Sequence, residues 1–414
     1  MSKVAHTPQL RFPEFSGDWE EKKLSDISDV RDGTHESPKY VLDGFPLITS
    51  KNLLSNGSID FENINLVSEE DYTNINKRSK VDINDILFGM IGTIGNPVIV
   101  KETGFAIKNV ALIKQQKELL NKFMIFYLSG NSIAKQFYIE NTGGTQKFLA
   151  LGVIRSLKIK FPPDTEQQKI AAFLTAVDNK IEQLSKKQEL LGEYKKGLMQ
   201  QIFSQAIRFK ANDGSDFPDW EEKKLGDLSV VISDGNYGEL YPTSSDFKLT
   251  GVPFLRANNI KSLKIDGTDT KYITEEQHSL LTSGHLQTND ILITTRGVLG
   301  NLAIVESTHN GSNINAQICL LRVTNTSELN HFYLLFVLDH RDSKKQYKAF
   351  ETGTALKQLP KGNLRKIKLK LPTLFEQNKI ANFLSSIDTK IEQVDKQLDE
   401  SKQFKKALLQ QMFV

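Results

Sequence analysis

Glu166-Gln167-Gln168-Lys169-Ile170-Ala171-Ala172-Phe173-Leu174 returns later in the chain, with two changes, as Glu376-Gln377-Asn378-Lys379-Ile380-Ala381-Asn382-Phe383-Leu384. Each copy opens a long periodic run. In the first, Ile170, Val177, Leu184, Leu191 and Leu198 recur every seven residues, and Leu174, Ile181, Gln188, Lys195 and Ile202 fill the positions between. In the second, Ile380, Ile387, Val394, Ser401 and Leu408 alternate with Leu384, Ile391, Leu398, Lys405 and Met412. Spacing that alternates three and four is a coiled-coil seam. It predicts two helices, 166–203 and 376–414, each about 57 Å long at 1.5 Å per residue. An apolar stripe on such a helix must be buried, and two stripes of equal length in one chain can bury each other if the helices run antiparallel. Lys195 and Lys405 fall at equivalent core-type positions. A polar residue there costs stability but can set register and orientation; a lysine at a fraying end can also snorkel to solvent.

Working outward, the duplication covers nearly the whole chain. Asp18-Trp19-Glu20-Glu21-Lys22-Lys23-Leu24 recurs unchanged as Asp219-Trp220-Glu221-Glu222-Lys223-Lys224-Leu225. Asp32-Gly33 answers Asp234-Gly235, Pro46 with Asn52 answers Pro253 with Asn259, and Asp85-Ile86-Leu87 answers Asp290-Ile291-Leu292. Gly95-Asn96 answers Gly300-Asn301, and Thr142-Gly143 with Lys147 answers Thr352-Gly353 with Lys357. The offset is 201 at Asp18 and 210 at Glu166, so the insertions lie between the matched islands, where surface loops tolerate them. One scaffold carries two different heads. The expected divisions are 1–165 for the first head, 166–203 for the first helix, 204–375 for the second head and 376–414 for the second helix.

The heads read as mixed α and β structure. Short β-branched runs such as Val98-Ile99-Val100 and Leu302-Ala303-Ile304-Val305 are separated by Gly, Asn and Asp turns. Helical stretches are expected at 119–139 and 329–350, and closing strands at 157–161 and 367–371. Pro162-Pro163 and Pro372 end those strands, and Asp164 or Thr373 can cap the helix that follows. The fold class is therefore α+β: two globular heads separated by two long antiparallel coiled-coil helices, with an internal pseudo-twofold repeat.

Of 414 residues, 39% are hydrophobic and 25% charged, an ordinary globular composition. The one cysteine, Cys319, lies in the apolar run Ile318-Cys319-Leu320-Leu321, so it is expected to be a buried hydrophobe and no intramolecular disulfide can form. A reducing cytoplasm is expected. The N-terminal dozen residues lack the apolar core of a secretory signal, and no run approaches 18 uninterrupted apolar residues, so no membrane span is expected. Net charge is only +3, but its distribution is uneven. Between Arg341 and Lys370 ten Lys or Arg face two acids, Asp342 and Glu351. A smaller run comprises Lys147, Arg155, Lys158 and Lys160. Such patches suit a nucleic-acid face or a solvated strand face. The helices are balanced, with six Lys against five acids in the first and six against six in the second, which suits contacts with proteins rather than DNA.

No motif for catalysis appears. There is no Walker-type phosphate loop, no metal-ligand spacing among the seven histidines, and no nucleophile elbow. Gly89 to Gly95 lacks dinucleotide-loop spacing and reads as a turn. Asn96-Pro97-Val98 does not fit the Pro-Pro-aromatic loop of an amino-methyltransferase.

Other constellations suit DNA. Arg or Lys can take guanine by O6 and N7, and Asn or Gln can pair with adenine. Thr49-Ser50-Lys51-Asn52 in the first head matches Arg256-Ala257-Asn258-Asn259 in the second. Thr34-His35 and Asn236-Tyr237 follow equivalent Asp-Gly turns, and Arg296, Gln146, Lys147 and Lys357 lie in Gly- and Thr-rich stretches with donors for phosphates or bases. The candidate DNA-binding residues are thus Thr34, His35, Lys51, Asn52, Gln146, Lys147, Asn236, Tyr237, Arg256, Asn258, Asn259, Arg296 and Lys357. Each stretch also reads as an ordinary polar turn.

Two variable heads, each opened by Trp-Glu-x-Lys-Lys-Leu-x-Asp, carrying Thr-Gly with a lysine shortly after, and followed by a Glu-Gln-x-Lys-Ile-Ala-x-Phe-Leu helix, resemble the specificity subunit of type I restriction–modification systems. The resemblance implies that each head reads one half of a split site in double-stranded DNA. It implies that the helices act as a ruler for the unread spacer and dock two methyltransferase subunits, with Ile170, Leu174, Val177, Ile181, Leu184, Ile380, Leu384, Ile387, Ile391 and Val394 on the docking helices. The methyltransferases would bind S-adenosylmethionine and methylate adenine; two motor nuclease subunits would use ATP and Mg²⁺. The chain itself would bind no cofactor or metal and turn nothing over. A coiled-coil scaffold unrelated to DNA would explain the helices but not the duplicated basic heads. A specificity chain of a related fused system would ordinarily travel with catalytic domains.

Overall fold

The computed structural model describes residues 7–130, 133, 136, 148–238, 241–354 and 356–413. The chain forms two compact units. One comprises residues 1–186 together with 395–414; the other comprises 187–394.

In the first unit, four antiparallel strands lie in the order Val30–Asp32, Val110–Ile113, Ile86–Gly89, Gly95–Ile99. Side chains alternate across a strand, and both faces of this sheet are covered. Ile86, Phe88, Ala111 and Ile113 point into a core with Trp19, Phe123, Tyr127 and Ile170. Leu87, Val110 and Leu112 point the other way, against Ile48 and Ile107 of the neighbouring sheet and Leu53 after the turn that leaves it. Two buried faces are why Asp-Ile-Leu-Phe and Val-Ala-Leu-Ile read as unbroken apolar runs rather than alternating ones.

The second unit repeats this plan. Its strands run Val230–Asp234, Ile318–Val323, Ile291–Thr294, Leu302–Ile304. Ile291, Ile293, Cys319 and Leu321 face one core, and Leu292, Ile318 and Leu320 the other. Burial pushes the Cys319 thiol far up, so it stays protonated and inert. A salt bridge ties each sheet at the same place. Lys114 meets buried Asp85 at 2.5 Å, and Arg322 grips buried Asp290 through two 2.7 Å hydrogen bonds. This accounts for the repeated Asp-Ile-Leu.

The repeated Trp-Glu-Glu-Lys-Lys-Leu stretch is a clasp. Glu20–Lys23 pairs antiparallel with Lys158–Phe161, and Glu221–Lys224 pairs in the same register with Lys368–Leu371. The Glu-Gln that opens each long helix anchors it. Glu166 is fully buried and receives Arg11 Nε and a terminal nitrogen, both at 2.7 Å. Glu376, equally buried, receives Arg208 and the Trp220 indole, at 2.9 and 3.0 Å on its Oε2. Gln167 accepts from Leu120 N and donates to the Glu118 and Pro162 carbonyls, and Gln377 does the same with Asn330, Glu328 and Pro372.

The long helices run Asp164–Phe203 and Leu374–Gln411. All ten seam positions of each are buried or half-buried. In the first unit Leu408, Met412 and Phe413 complete the core around Ile170, Leu174 and Trp19. Lys405 meets Asp178 at 2.6 Å while Leu10 N bonds Gln411 O, beside the Arg11 that holds Glu166. In the second, Met199, Ile202 and Phe203 pack with Ile380 and Leu384. Lys195 meets Asp388 at 2.5 Å while Arg208, beyond the helix end, meets Glu376. Partner numbers fall as residue numbers rise, so the segments are antiparallel in both units.

Three expectations change. The seam residues Ile170, Leu174, Val177, Ile181, Leu184, Ile380, Leu384, Ile387, Ile391 and Val394 are turned inward, buried or half-buried, and so offer little to a partner protein; the exposed apolar side chains of the helices are Leu190, Tyr194, Phe404 and Phe375. The stretch 329–350 is two helices, His331–Asp339 and Arg341–Phe350, broken at an extended His340. Of 119–139, Asn121–Leu128 is helical, the helix breaks at Ser129-Gly130, Ile133 and Gln136 are helical again, and the remaining residues from 131 on lie outside the described residues. Among the described residues no helix is long and apolar enough to cross a membrane.

Candidate nucleic-acid interface

Exposed His35 and Tyr237 sit at the same corner of the two matching four-stranded sheets, just after the strands Val30–Asp32 and Val230–Asp234, and a glycine turn builds that corner. A Cβ on Gly33 would lie 2.2 Å from the Ile107 carbonyl oxygen, and one on Gly235 2.1 Å from that of Asn315. Only glycine allows so close a backbone approach, which fixes where the next two residues emerge. In the first head these are Thr34 and His35. Thr34 Oγ1 accepts from Glu36 N. The His35 ring lies between Asp32 Oδ2 at 2.7 Å and Asn109 Oδ1 at 2.8 Å, and Arg78 holds the other oxygen of Asp32. In the second head they are Asn236 and Tyr237. The Tyr237 hydroxyl donates to Ala316 O, and the Arg296 guanidinium lies 4.9 Å from its ring centroid. Lys361 neutralises Asp234 at 3.0 Å. Burial raises the Tyr237 phenol above its ordinary value, and Asp234 adds to this while Arg296 and Lys361 oppose it.

The hydrogen bond to Asp32, more than the one to Asn109, raises the His35 pKa above its ordinary value. A raised pKa adds stability that is complete below the unfolded value and disappears as pH rises through the folded one. His35→Ala should therefore melt below the wild-type chain at about pH 5.5, and the difference should close by about pH 8.5. A melting difference independent of pH would show that the imidazolium plays no such part.

Several candidates have structural duties instead. Asn52 is buried; its amide oxygen accepts from Thr49 N and Oγ1, and its nitrogen donates to Asp60 O and Asn63 O. Asn259 repeats the arrangement with Arg256 N and Asp266 O. Asn236 is buried against Ser283 and Asn313. With their amides spent inside the turn, these three shape the loop and have nothing left for a base. Arg256 is held by Asp269 at 2.6 Å, which Asn258 also approaches, and Lys357 is held by Glu351 at 2.7 Å. Lys51 is exposed on its 3-10 turn with no ion pair among the described residues. Gln146 and Lys147 lie outside the described residues.

Part of each basic run is engaged within the head. Arg155 donates to the Val30 carbonyl, Lys158 lies 3.6 Å from Glu21, and Lys160 is buried. In the larger run Lys344 meets Asp339, Lys345 meets Asp342 and Lys368 meets Glu222. Among the described residues no three His, Cys, Asp or Glu side chains form a group that could hold a metal ion.

The corner can therefore present cations, an aromatic face and a histidine to a polyanion, with different side chains in the two heads. Comparison with known proteins gives this architecture its class. Residues 16–191 and 218–401 each match the type I restriction modification DNA specificity domain. The chain belongs to that family. It is 28% identical over 425 aligned positions to the putative type I restriction enzyme MjaX specificity subunit of Methanocaldococcus jannaschii, covering 96% of this chain and 93% of that protein. It is 20% identical to the type I restriction enzyme EcoBI specificity subunit of Escherichia coli, over 77% of this chain and 69% of that one. In fold it is similar to the crystal structure of the type I restriction–modification S subunit from M. genitalium, with a TM-score of 0.65, 18% identity and 99% of each chain covered.

Proposed function

We infer that this chain is the specificity subunit of a type I restriction–modification enzyme, reading a two-part site in double-stranded DNA. One observation carries the reading. Two heads share a clasp, a two-faced sheet and a Glu-Gln anchor, yet their matched corner turns end in His35 and Tyr237. A repeated frame with unlike exposed corners is what reading two different half-sites demands, since phosphate contacts are sequence-blind and base edges carry the specificity. Two linked heads also multiply affinity through effective concentration.

The chemistry belongs to partners in this reading. Two methyltransferase subunits bring S-adenosylmethionine and methylate a flipped adenine, and two motor nuclease subunits bring ATP and Mg²⁺. This chain supplies no catalytic group and works in the cytoplasm. The long helices set the unread gap between half-sites, and their outward faces, not the seam, receive the partners.

The test is to express the chain with its companion methyltransferase in a cell without adenine methylation and map methylated adenines across the genome. A split motif with a fixed gap, lost when this chain is omitted, is the expected result. A continuous motif, or methylation that persists without the chain, would overturn the two-headed reading.

A further inference from the structure

The corner turns just described are not the only place where the heads differ. In the second head Arg296 forms an isolated bridge with Gln358, and Leu359 N bonds Thr295 O next to it. In the first head Ile91 bridges Phe148 and Leu149 N bonds Met90 O. These are the same backbone contacts, so Ile91 and Arg296 occupy the same place in the two heads, as do His35 and Tyr237. The first head thus presents an apolar pair, Ile91 at 38% and Phe148 at 47% exposed. The second presents a cation on an aromatic ring, with Tyr237 50% exposed.

Arg296 is one of three arginines with no carboxylate partner among the described residues, with Arg155, which donates to the Val30 carbonyl, and Arg365. Arg11, Arg31, Arg78, Arg208, Arg256 and Arg322 each hold a carboxylate. Arg296 has no ion pair among the described residues, and the nearby Asp234 is taken by Lys361. The loop beneath it is braced. Buried Thr294 receives Asn301 N on its hydroxyl and donates to the Val298 carbonyl at 2.6 Å. Gly297 and Gly300 turn in the left-handed region, and a Cβ on Gly300 would lie 2.8 Å from the Tyr347 ring. The guanidinium carbon lies 4.9 Å from the centre of the Tyr237 ring, and among the described residues no hydrogen bond engages the guanidinium, so the aromatic contact limits the freedom lost when its N–H groups bind.

A planar fork with free N–H donors matches the paired O6 and N7 acceptors of guanine in the major groove. We propose that Arg296, held over the ring of Tyr237, reads a guanine in the half-site of the second head, and that its position, filled by Ile91 in the first, is a place where the two heads acquire different specificities. This rests on the DNA-reading function inferred above. Tyr237 is the positioning residue.

The test uses the chain assembled with its companion methyltransferase. In the methylation map, Arg296→Ala should make one guanine of one half-site degenerate and leave the other half-site and the gap unchanged. On synthetic duplexes, 7-deazaguanine at that position, which removes N7, should weaken wild-type binding about tenfold or more and leave Arg296→Ala indifferent. Arg296→Lys, which keeps the charge but not the planar fork, should keep part of the guanine preference and fall between the wild-type chain and the alanine variant in the map. A motif unchanged in strictness, or a loss of affinity equal on all DNA, would overturn the proposal alone. A wild-type chain that directs no split motif would overturn the DNA-reading function as well.

Discussion

Arg11→Ala is expected to destabilise the first unit by about 3–5 kcal/mol, the usual cost of leaving a buried charge without its partner. The Glu166 carboxylate is fully buried, and both of its oxygens are satisfied by Arg11 at 2.7 Å. The carboxylate holds the guanidinium pKa above its ordinary value, the other side of the same coupling. Truncating the arginine leaves the carboxylate to protonate or to draw in water, and either costs folding free energy. The second unit provides an internal control. Arg208→Ala leaves Glu376 with the Trp220 indole still donating at 3.0 Å, whereas the buried Trp19 indole nitrogen has no partner among the described residues. A hydrogen bond to a charged group is worth about 1.5–3 kcal/mol, so the loss at Arg208 should be smaller by an amount of that order. Urea unfolding of both variants, followed by tryptophan fluorescence, measures the difference. Equal losses, or a loss under about 1 kcal/mol at Arg11, would show that these pairs do not anchor the helices.

That anchor marks how far the sequence could be read. The Glu-Gln repeat is conspicuous because its side chains do the same packing twice, but its partners lie more than 150 residues away in Arg11 and Arg208. A signal was present in the repeated Arg-Phe at 11–12 and 208–209, whose phenylalanines stack edge-on against Phe173 and Phe383. The seam was legible because a seven-residue period survives any tertiary detail. The break at His340 was not, since neither Gly nor Pro marks it. It could have been sensed from the change of character there. His331–Asp339 buries Tyr333 through Leu338 on every side, while Arg341–Phe350 buries only Ser343 and Tyr347. The buried asparagines misled for a physical reason. An Asn that closes a turn and an Asn that pairs with adenine use the same amide, and only burial distinguishes Asn52 and Asn259 from exposed Asn258.

Lys195→Glu should cost about 3 kcal/mol or more, because it would set a carboxylate against Asp388 in a seam where burial already disfavours charge. Lys195 is 12% exposed, contacts Asp388 at 2.5 Å and lies over the Phe336 ring at 4.9 Å. The repeat places Lys405, Asp178 and Phe126 alike. Burial, the largest influence, raises the Asp388 pKa, and Lys195 only partly offsets it. The pair is therefore a poor source of net stability. Lys195→Met combined with Asp388→Leu is expected to be near neutral, while Lys195→Glu combined with Asp388→Lys should recover most of the single loss. What the apolar pair would lose is discrimination. A seam lined only by Ile, Leu and Val tolerates sliding by a heptad, whereas a lysine that must meet one aspartate admits one register. Thermal melting of the single and double variants separates the two roles. If the charge swap fails to rescue, the lysine is held by the Phe336 ring and its aliphatic stem, and the carboxylate opposite is incidental to the alignment of the helices.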